Sequence, residues 1–118
     1  MVTHTLPEAN YLEFLLWLVR QRKRFQVKGN SMLPLLKANE EILVASKAYT
    51  KSLPSVGDIV VLEHPQNPQL IIVKRIAAID GDNNCFLLGD NPNESSDSRH
   101  WGTIKSSDLI GKVTSRFQ

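Results

Sequence analysis

The sequence predicts a mainly β domain with a single helix at its amino-terminal end, on three observations. Short runs rich in Val, Ile and Leu recur from residue 25 onward, each is bounded by Gly, Pro, Asn or Asp, and one apolar stretch near the start carries helical spacing. With 118 residues the chain can bury one modest core and is too short for two. Residues 1–24 read as an amphipathic helix with a basic segment and residues 25–118 as the β domain, the two forming one compact unit.

Taken in order, Pro7 and Glu8 suit the first turn of the helix, and Arg20, Arg22, Lys23 and Arg24 suit its carboxyl end. Leu12, Leu15, Leu16 and Val19 share one face, whereas Phe14, Trp17 and Leu18 fall on others. A helix apolar on more than one side is expected to pack against the β core. Docking of a protein substrate, or weak attachment to a membrane surface through Trp17 and the arginines, are the alternatives. Strands are expected over 25–28, 41–46, 59–63, 70–78, 85–88 and 110–117, with turns at 53–57 and 64–68 and a hairpin connection at 80–84.

Composition bounds the function. A hydrophobic content of 42% with 22% charged residues is ordinary for a globular protein, and a formal net charge of +2 is too small to argue for nucleic acid. Cys85 is the single cysteine, which excludes an internal disulfide and any cysteine-rich metal pattern and fits a reducing compartment. The apolar run 14–19, with Leu12 just upstream, falls far short of the roughly 20 residues that cross a bilayer. Its charges follow the run instead of preceding it, unlike a cleavable signal peptide. The expectation is a cytoplasmic protein without a transmembrane anchor.

Two positions suggest chemistry. Ser31 stands between the glycine-bearing bend Val27-Lys28-Gly29-Asn30 and the turn Met32-Leu33-Pro34, a setting that holds a hydroxyl at a fixed angle. Lys74 follows Leu70-Ile71-Ile72-Val73, where desolvation disfavours the ammonium and prepares the amine to act as a base. A third block, Gly89-Asp90-Asn91-Pro92-Asn93-Glu94-Ser95-Ser96-Asp97-Ser98-Arg99, brings further hydroxyls and charges.

Together these blocks resemble the type I signal peptidase family, which shares its fold of short coiled β-sheets with the self-cleaving LexA-type repressors. The resemblance spans residues 25–113, and Gly57-Asp58-Ile59-Val60-Val61 and Asp80-Gly81-Asp82 resemble two further family blocks. It implies a serine endopeptidase with a Ser/Lys dyad: Ser31 as nucleophile, Lys74 as general base, Ser95 as the hydroxyl that orients the amine, and Asp90, Asp97 and Arg99 as structural support. By the same resemblance Val27, Met32, Leu36, Ile72 and Val73 match positions that line the pocket for a small residue before the scissile bond. No metal or other cofactor is implied. At Gly29 several relatives carry a serine that supplies a second oxyanion contact, which leaves that donor open here; Asn30 offers an amide in its place or only stabilises the bend. Asn39 stands where the family often has glycine, and only an altered turn is expected.

The anchorless architecture, with a Phe/Leu/Trp helix directly ahead of V-x-G-x-S-M-x-P, is similar to the proteases that mature nickel-type superoxide dismutase. The implied partner is therefore a protein precursor, the nickel superoxide dismutase with its amino-terminal propeptide. Two other classes stay open: a LexA-type regulatory domain that cuts only itself, and a noncatalytic binding module on the same fold. A Ser/His/Asp triad drawn from His4, His64 and His100 has no local motif behind it, and the scattered histidines give no metal-ligand spacing.

Overall fold

The β-branched runs do become strands, and they join into one antiparallel sheet. The computed structural model describes residues 6–19 and 21–117; His4 and Arg20 lie outside them. Seven strands, β1 (Lys23–Gln26), β2 (Glu41–Ala45), β3 (Ile59–His64), β4 (Asn67–Ile79), β5 (Asn84–Leu88), β6 (Ile104–Lys105) and β7 (Leu109–Phe117), stand in the order β1-β2-β7-β3-β4-β5-β6. Hairpins join β3 to β4 and β4 to β5, as the turn residues at 64–68 and 80–84 predicted; in the second, Asn83 takes a left-handed φ of 62°.

Alternation along the strands sorts their side chains into two clusters. Val27, Met32, Leu36, Ile42, Val44, Ile59, Val61, Val73 and Val113 form one, and Val60, Leu62, Ile76, Cys85 and Leu87 form the other. Adjacent residues Val60 and Val61 enter different clusters, as a period of two requires. Register irregularities at Leu43/Val44, Val61/Leu62 and Ile76/Ala78 interrupt the ladders, the local bends that let a sheet this small coil.

The helix departs from expectation. It runs over Tyr11–Leu18 (α1), later than Pro7 and Glu8 suggest, because Asn10 caps it by accepting the Glu13 N–H at 2.9 Å. The stretch before it pairs with β7 instead, through Ala9 N–H to Arg116 O and Arg116 N–H to Pro7 O. Arg22 precedes β1, and Lys23 and Arg24 belong to that strand, not to the helix end. Core packing is also overturned: no residue of α1 is buried, and Tyr11, Leu12, Phe14, Leu15 and Leu18 are exposed.

What fastens α1 is polar. The Glu13 carboxylate accepts from Arg22 Nε at 3.1 Å, from the buried Ser115 hydroxyl at 3.0 Å and from Thr114 Oγ1. Two short helices the sequence reading did not separate from loop, α2 (Ala48–Lys51) and α3 (Ser98–Trp101), complete the chain. Among the described residues no helix is long and apolar enough to cross a membrane. Glu13→Ala strips Ser115 of its partner and leaves Arg22 unpaired with this carboxylate, so urea denaturation is expected to show a loss of about 1–3 kcal/mol. An unchanged midpoint would mean that α1 is held by something other than this carboxylate.

Candidate active site

Lys74 lies mid-way along β4, opposite Val60 of β3. Ile72 and Ile76 flank it two residues away on the same face, and the lysine is only 3% exposed. Burial among these side chains pushes the amine below the ordinary lysine value; nearby Asp97 pulls in the opposite direction, and Arg99 lowers it again. The amine bonds Ser95 Oγ at 3.2 Å, and Ser95 Oγ in turn donates to Asp97 Oδ2 at 2.8 Å.

Asp97 is fully buried, and its oxygens are surrounded by donors. Oδ2 also accepts from Gly89 N–H at 3.1 Å and Arg99 Nη2 at 3.1 Å, and Oδ1 accepts from Arg99 Nε at 2.9 Å and from Arg99 N–H at 3.2 Å. Burial alone would raise the carboxyl, but the hydrogen bonds from Arg99, Ser95 and Gly89 outweigh it and hold the group far below the usual carboxylate range. The same side chain caps α3. One residue on, the buried Ser98 hydroxyl accepts Leu87 N–H at 2.8 Å. Asp97 and Ser98 thus satisfy the edge of β5 where no strand continues the ladder, which locks the 95–98 segment beside the lysine.

Ser31 reaches this place from the far side. It opens a tight turn closed by Leu33 N–H to Asn30 O at 3.2 Å and Leu36 N–H to Met32 O at 2.9 Å. Gly29 enters the turn at φ 75°, a left-handed conformation natural to glycine, and Asn39 adopts φ 71°, where an asparagine replaces glycine with least strain. The two loops meet at Gly89. A Cβ there would fall 2.2 Å from Ser95 Oγ and 2.7 Å from Ser31 O, so the absent side chain is what lets the serine turn close on the 89–98 segment. Ser31 Oγ itself makes no hydrogen bond to Lys74 Nζ; the amine is engaged by Ser95.

Of the residues singled out from sequence, Lys74, Ser95, Asp97 and Arg99 form one connected chain of contacts, and the Ser31 carbonyl approaches it at Gly89. Asp90 does not join the Asp97–Arg99 pair. It forms a two-pronged ion pair with Arg75, at 2.9 and 2.8 Å, and Arg75 Nη1 also donates to Gly57 O. Val27, Met32, Leu36 and Val73 lie together in the first core cluster, whereas Ile72 packs against the second, on the Lys74 face of β4. Gly89, Ser98 and Arg75 carried no role in the sequence reading. The Gly-Asp pair at 89–90 was the available signal, but which backbone groups would crowd that glycine is a long-range fact. Among the described residues no cluster of three or more His, Cys, Asp or Glu could hold a metal ion.

Gly89→Ala is expected to lose about 1–3 kcal/mol, since Ser95 and the Ser31 backbone must both give way. Gly81→Ala, with open space around its position, is the control and is expected to be nearly neutral. Equal urea midpoints for the two variants would refute the close approach at Gly89.

The model of the family described as signal peptidase, peptidase S26, matches residues 9–85 and 83–118. The chain is 30% identical to the mitochondrial ATP-independent inner membrane protease subunit 1b of Arabidopsis thaliana, over 89% of its own length and 70% of that protein. It is 25% identical to the probable signal peptidase I-1 of Synechocystis sp., over 77% of this chain and 68% of the relative. It is also 30% identical to the mitochondrial inner membrane protease subunit 1 of Schizosaccharomyces pombe, over 78% and 73% of the two chains. With an antiparallel sheet that carries a buried lysine bonded to Ser95, and a family match along most of its length, the chain belongs to the peptidase S26 signal peptidases, a family of serine proteases.

Proposed function

We propose that the protein is a serine endopeptidase working through a Ser31/Lys74 dyad. The observation that carries this reading is the buried Lys74 amine, lowered by desolvation and bonded to Ser95, beside the loop that holds Ser31. A free lysine is almost wholly protonated at neutral pH; one kept from water has a usable neutral fraction. Neutral Lys74 takes the Ser31 proton as the oxygen attacks a peptide carbonyl, and the resulting ammonium protonates the leaving amine. The same amine then activates water to hydrolyse the acyl-enzyme. Ser95, itself oriented by Asp97, aims the amine, and the Ser31 N–H donates to the oxyanion.

The substrate proposed with it is an extended peptide with a small residue before the scissile bond, bound in strand fashion near Val27, Met32, Leu36, Ile72 and Val73. The precursor proposed is nickel-type superoxide dismutase, whose amino-terminal propeptide would be removed. Its support is the sequence alone: the Phe/Leu/Trp segment directly ahead of the serine motif. The compartment proposed is the cytoplasm, supported by the free thiol of Cys85. Weak membrane-surface contact through α1 stands beside it, supported by the apolar side chains the helix exposes.

Co-incubation with the precursor, read by intact mass, tests the activity. Wild type is expected to release the propeptide, while Ser31→Ala, folded by circular dichroism, is expected to release none. Self-cleavage of the purified chain would instead favour a LexA-type regulatory domain. Ser95→Ala should slow processing by about 10- to 100-fold, through misorientation of the amine.

The base has its own signature. Processing is expected to rise with pH through a midpoint below that of free lysine, and Lys74→Arg should be inactive because a guanidinium stays protonated. Stability follows pH in the same direction. Because the folded amine binds its proton less readily than the unfolded one, its contribution to stability falls as pH drops from above 10.5 down through the folded value and is constant below it. Lys74→Met is therefore expected to be inactive yet at least as stable as wild type at neutral pH, with the difference closing toward alkaline pH. Activity in Lys74→Met would show that another group is the base.

A further inference from the structure

The carbonyls on both sides of the Ser31 α-carbon are held by one residue. Asn91 donates its backbone N–H to Ser31 O at 2.7 Å and its side-chain Nδ2 to Asn30 O at 3.1 Å. Nδ2 also donates to Glu94 Oε2 at 3.0 Å, so both amide hydrogens are spent on acceptors and the orientation of the amide is unambiguous.

The Asn30–Ser31 peptide is trans and planar, so Asn30 C=O and Ser31 N–H point in opposite directions within one rigid unit. Whatever holds the first aims the second. Leu33 N–H shares Asn30 O at 3.2 Å, but it belongs to the same turn and moves with it. Asn91 is the tie to a different part of the fold, since the 89–98 segment is fixed to β5 through Gly89 and Ser98. Among the described residues the Ser31 N–H meets no protein acceptor, which leaves it open to an incoming oxygen.

We infer that Asn91 is a positioning residue: its side chain sets the angle of the Ser31 N–H, and its backbone N–H fixes the peptide that follows, so that the oxyanion donor is aimed before substrate arrives. This rests on Ser31 being the nucleophile. Glu94 holds the Asn91 amide in turn and acts one step further out. The position left without a hydroxyl at Gly29 makes this alignment weigh more, because no side chain of residue 29 can assist the donor.

Asn91→Ala keeps the backbone bond and removes the side-chain tie. The readouts are the 15N order parameter of the Ser31 amide, and kcat and KM on an internally quenched peptide with Ala before the scissile bond. The order parameter is expected to fall from about 0.85 toward about 0.6. The expected kcat is about tenfold lower, less than loss of a whole oxyanion donor, with KM and the pH midpoint of the rate unchanged because Lys74 and Ser95 are untouched. An unchanged order parameter, a kcat within about twofold of wild type, or a raised KM with kcat intact each overturns the inference. If the peptide is not cleaved by wild type, the order parameter decides alone. Should Asn91→Ala fail to fold, Glu94→Ala takes its place, with kcat expected about threefold lower and an unchanged kcat counting against the inference. Ser31→Ala run alongside separates the two levels. Cleavage by Ser31→Ala removes the nucleophile assignment, whereas an inactive Ser31→Ala beside a wild-type-like Asn91→Ala removes only the positioning role.

Discussion

One buried carboxylate determines how the rest of the site is arranged. Asp97 is shut off from solvent and accepts hydrogen bonds from Ser95, Gly89 and Arg99. A carboxylate so placed is tolerable only because those donors replace water. Each donor brings its own segment into place: Gly89 comes from the end of β5, Ser95 from the loop before α3, and Arg99 from α3 itself. Loss of the carboxylate would release all three together. It would also release the lysine, since Asp97 is the charge that orients Ser95 toward the amine.

Asp97 and Lys74 nevertheless stand in tension. A carboxylate near an amine favours the ammonium, which is the wrong form for the base proposed at Lys74. Two features offset this. The apolar face formed by Val60, Ile72 and Ile76 disfavours the cation, and Arg99 both neutralises Asp97 and repels the ammonium. The carboxylate therefore reaches the lysine both as charge and, through the Ser95 hydroxyl, as geometry. Replacing Arg99 by a neutral residue would shift that balance toward a protonated, inert lysine without touching the lysine itself.

How legible this was from sequence depended on the range of the interaction. The strands were readable because Val60–Leu62, Ile71–Val73 and Val113 follow patterns local to each run. Asp97 and Arg99, together with Asp90, were placed as supports only through the family resemblance, whereas the bend at Gly29 was as readable as the strands. The Arg75–Asp90 ion pair was not, because it joins β4 to the loop after β5 and no spacing encodes it. The helix failed for a different reason. Leu12, Leu15 and Val19 carry the composition of a buried face, but composition cannot say whether a partner surface exists. Here the side chain that ties α1 to the sheet is Glu13, which a reading for apolar periodicity passes over.

That inversion changes how the amino-terminal segment should be understood. A helix anchored by Glu13 to Thr114, Ser115 and Arg22 turns its acidic side chain inward and its apolar side chains outward. The burial of apolar area that normally holds a helix on a domain is therefore small, and three hydrogen bonds to one carboxylate must do much of that work. Such an attachment is directional where a hydrophobic one is not: it fixes the helix against β7 while Tyr11, Leu12, Leu15 and Leu18 stay exposed to solvent and Arg24 lies over the Trp17 ring. The proposed catalytic group draws on β4, the serine turn and the 89–98 segment, none of which α1 supplies. The two regions are thus built on opposite principles, a polar network buried within apolar walls at the lysine, and an apolar helix held by a polar clasp on β7.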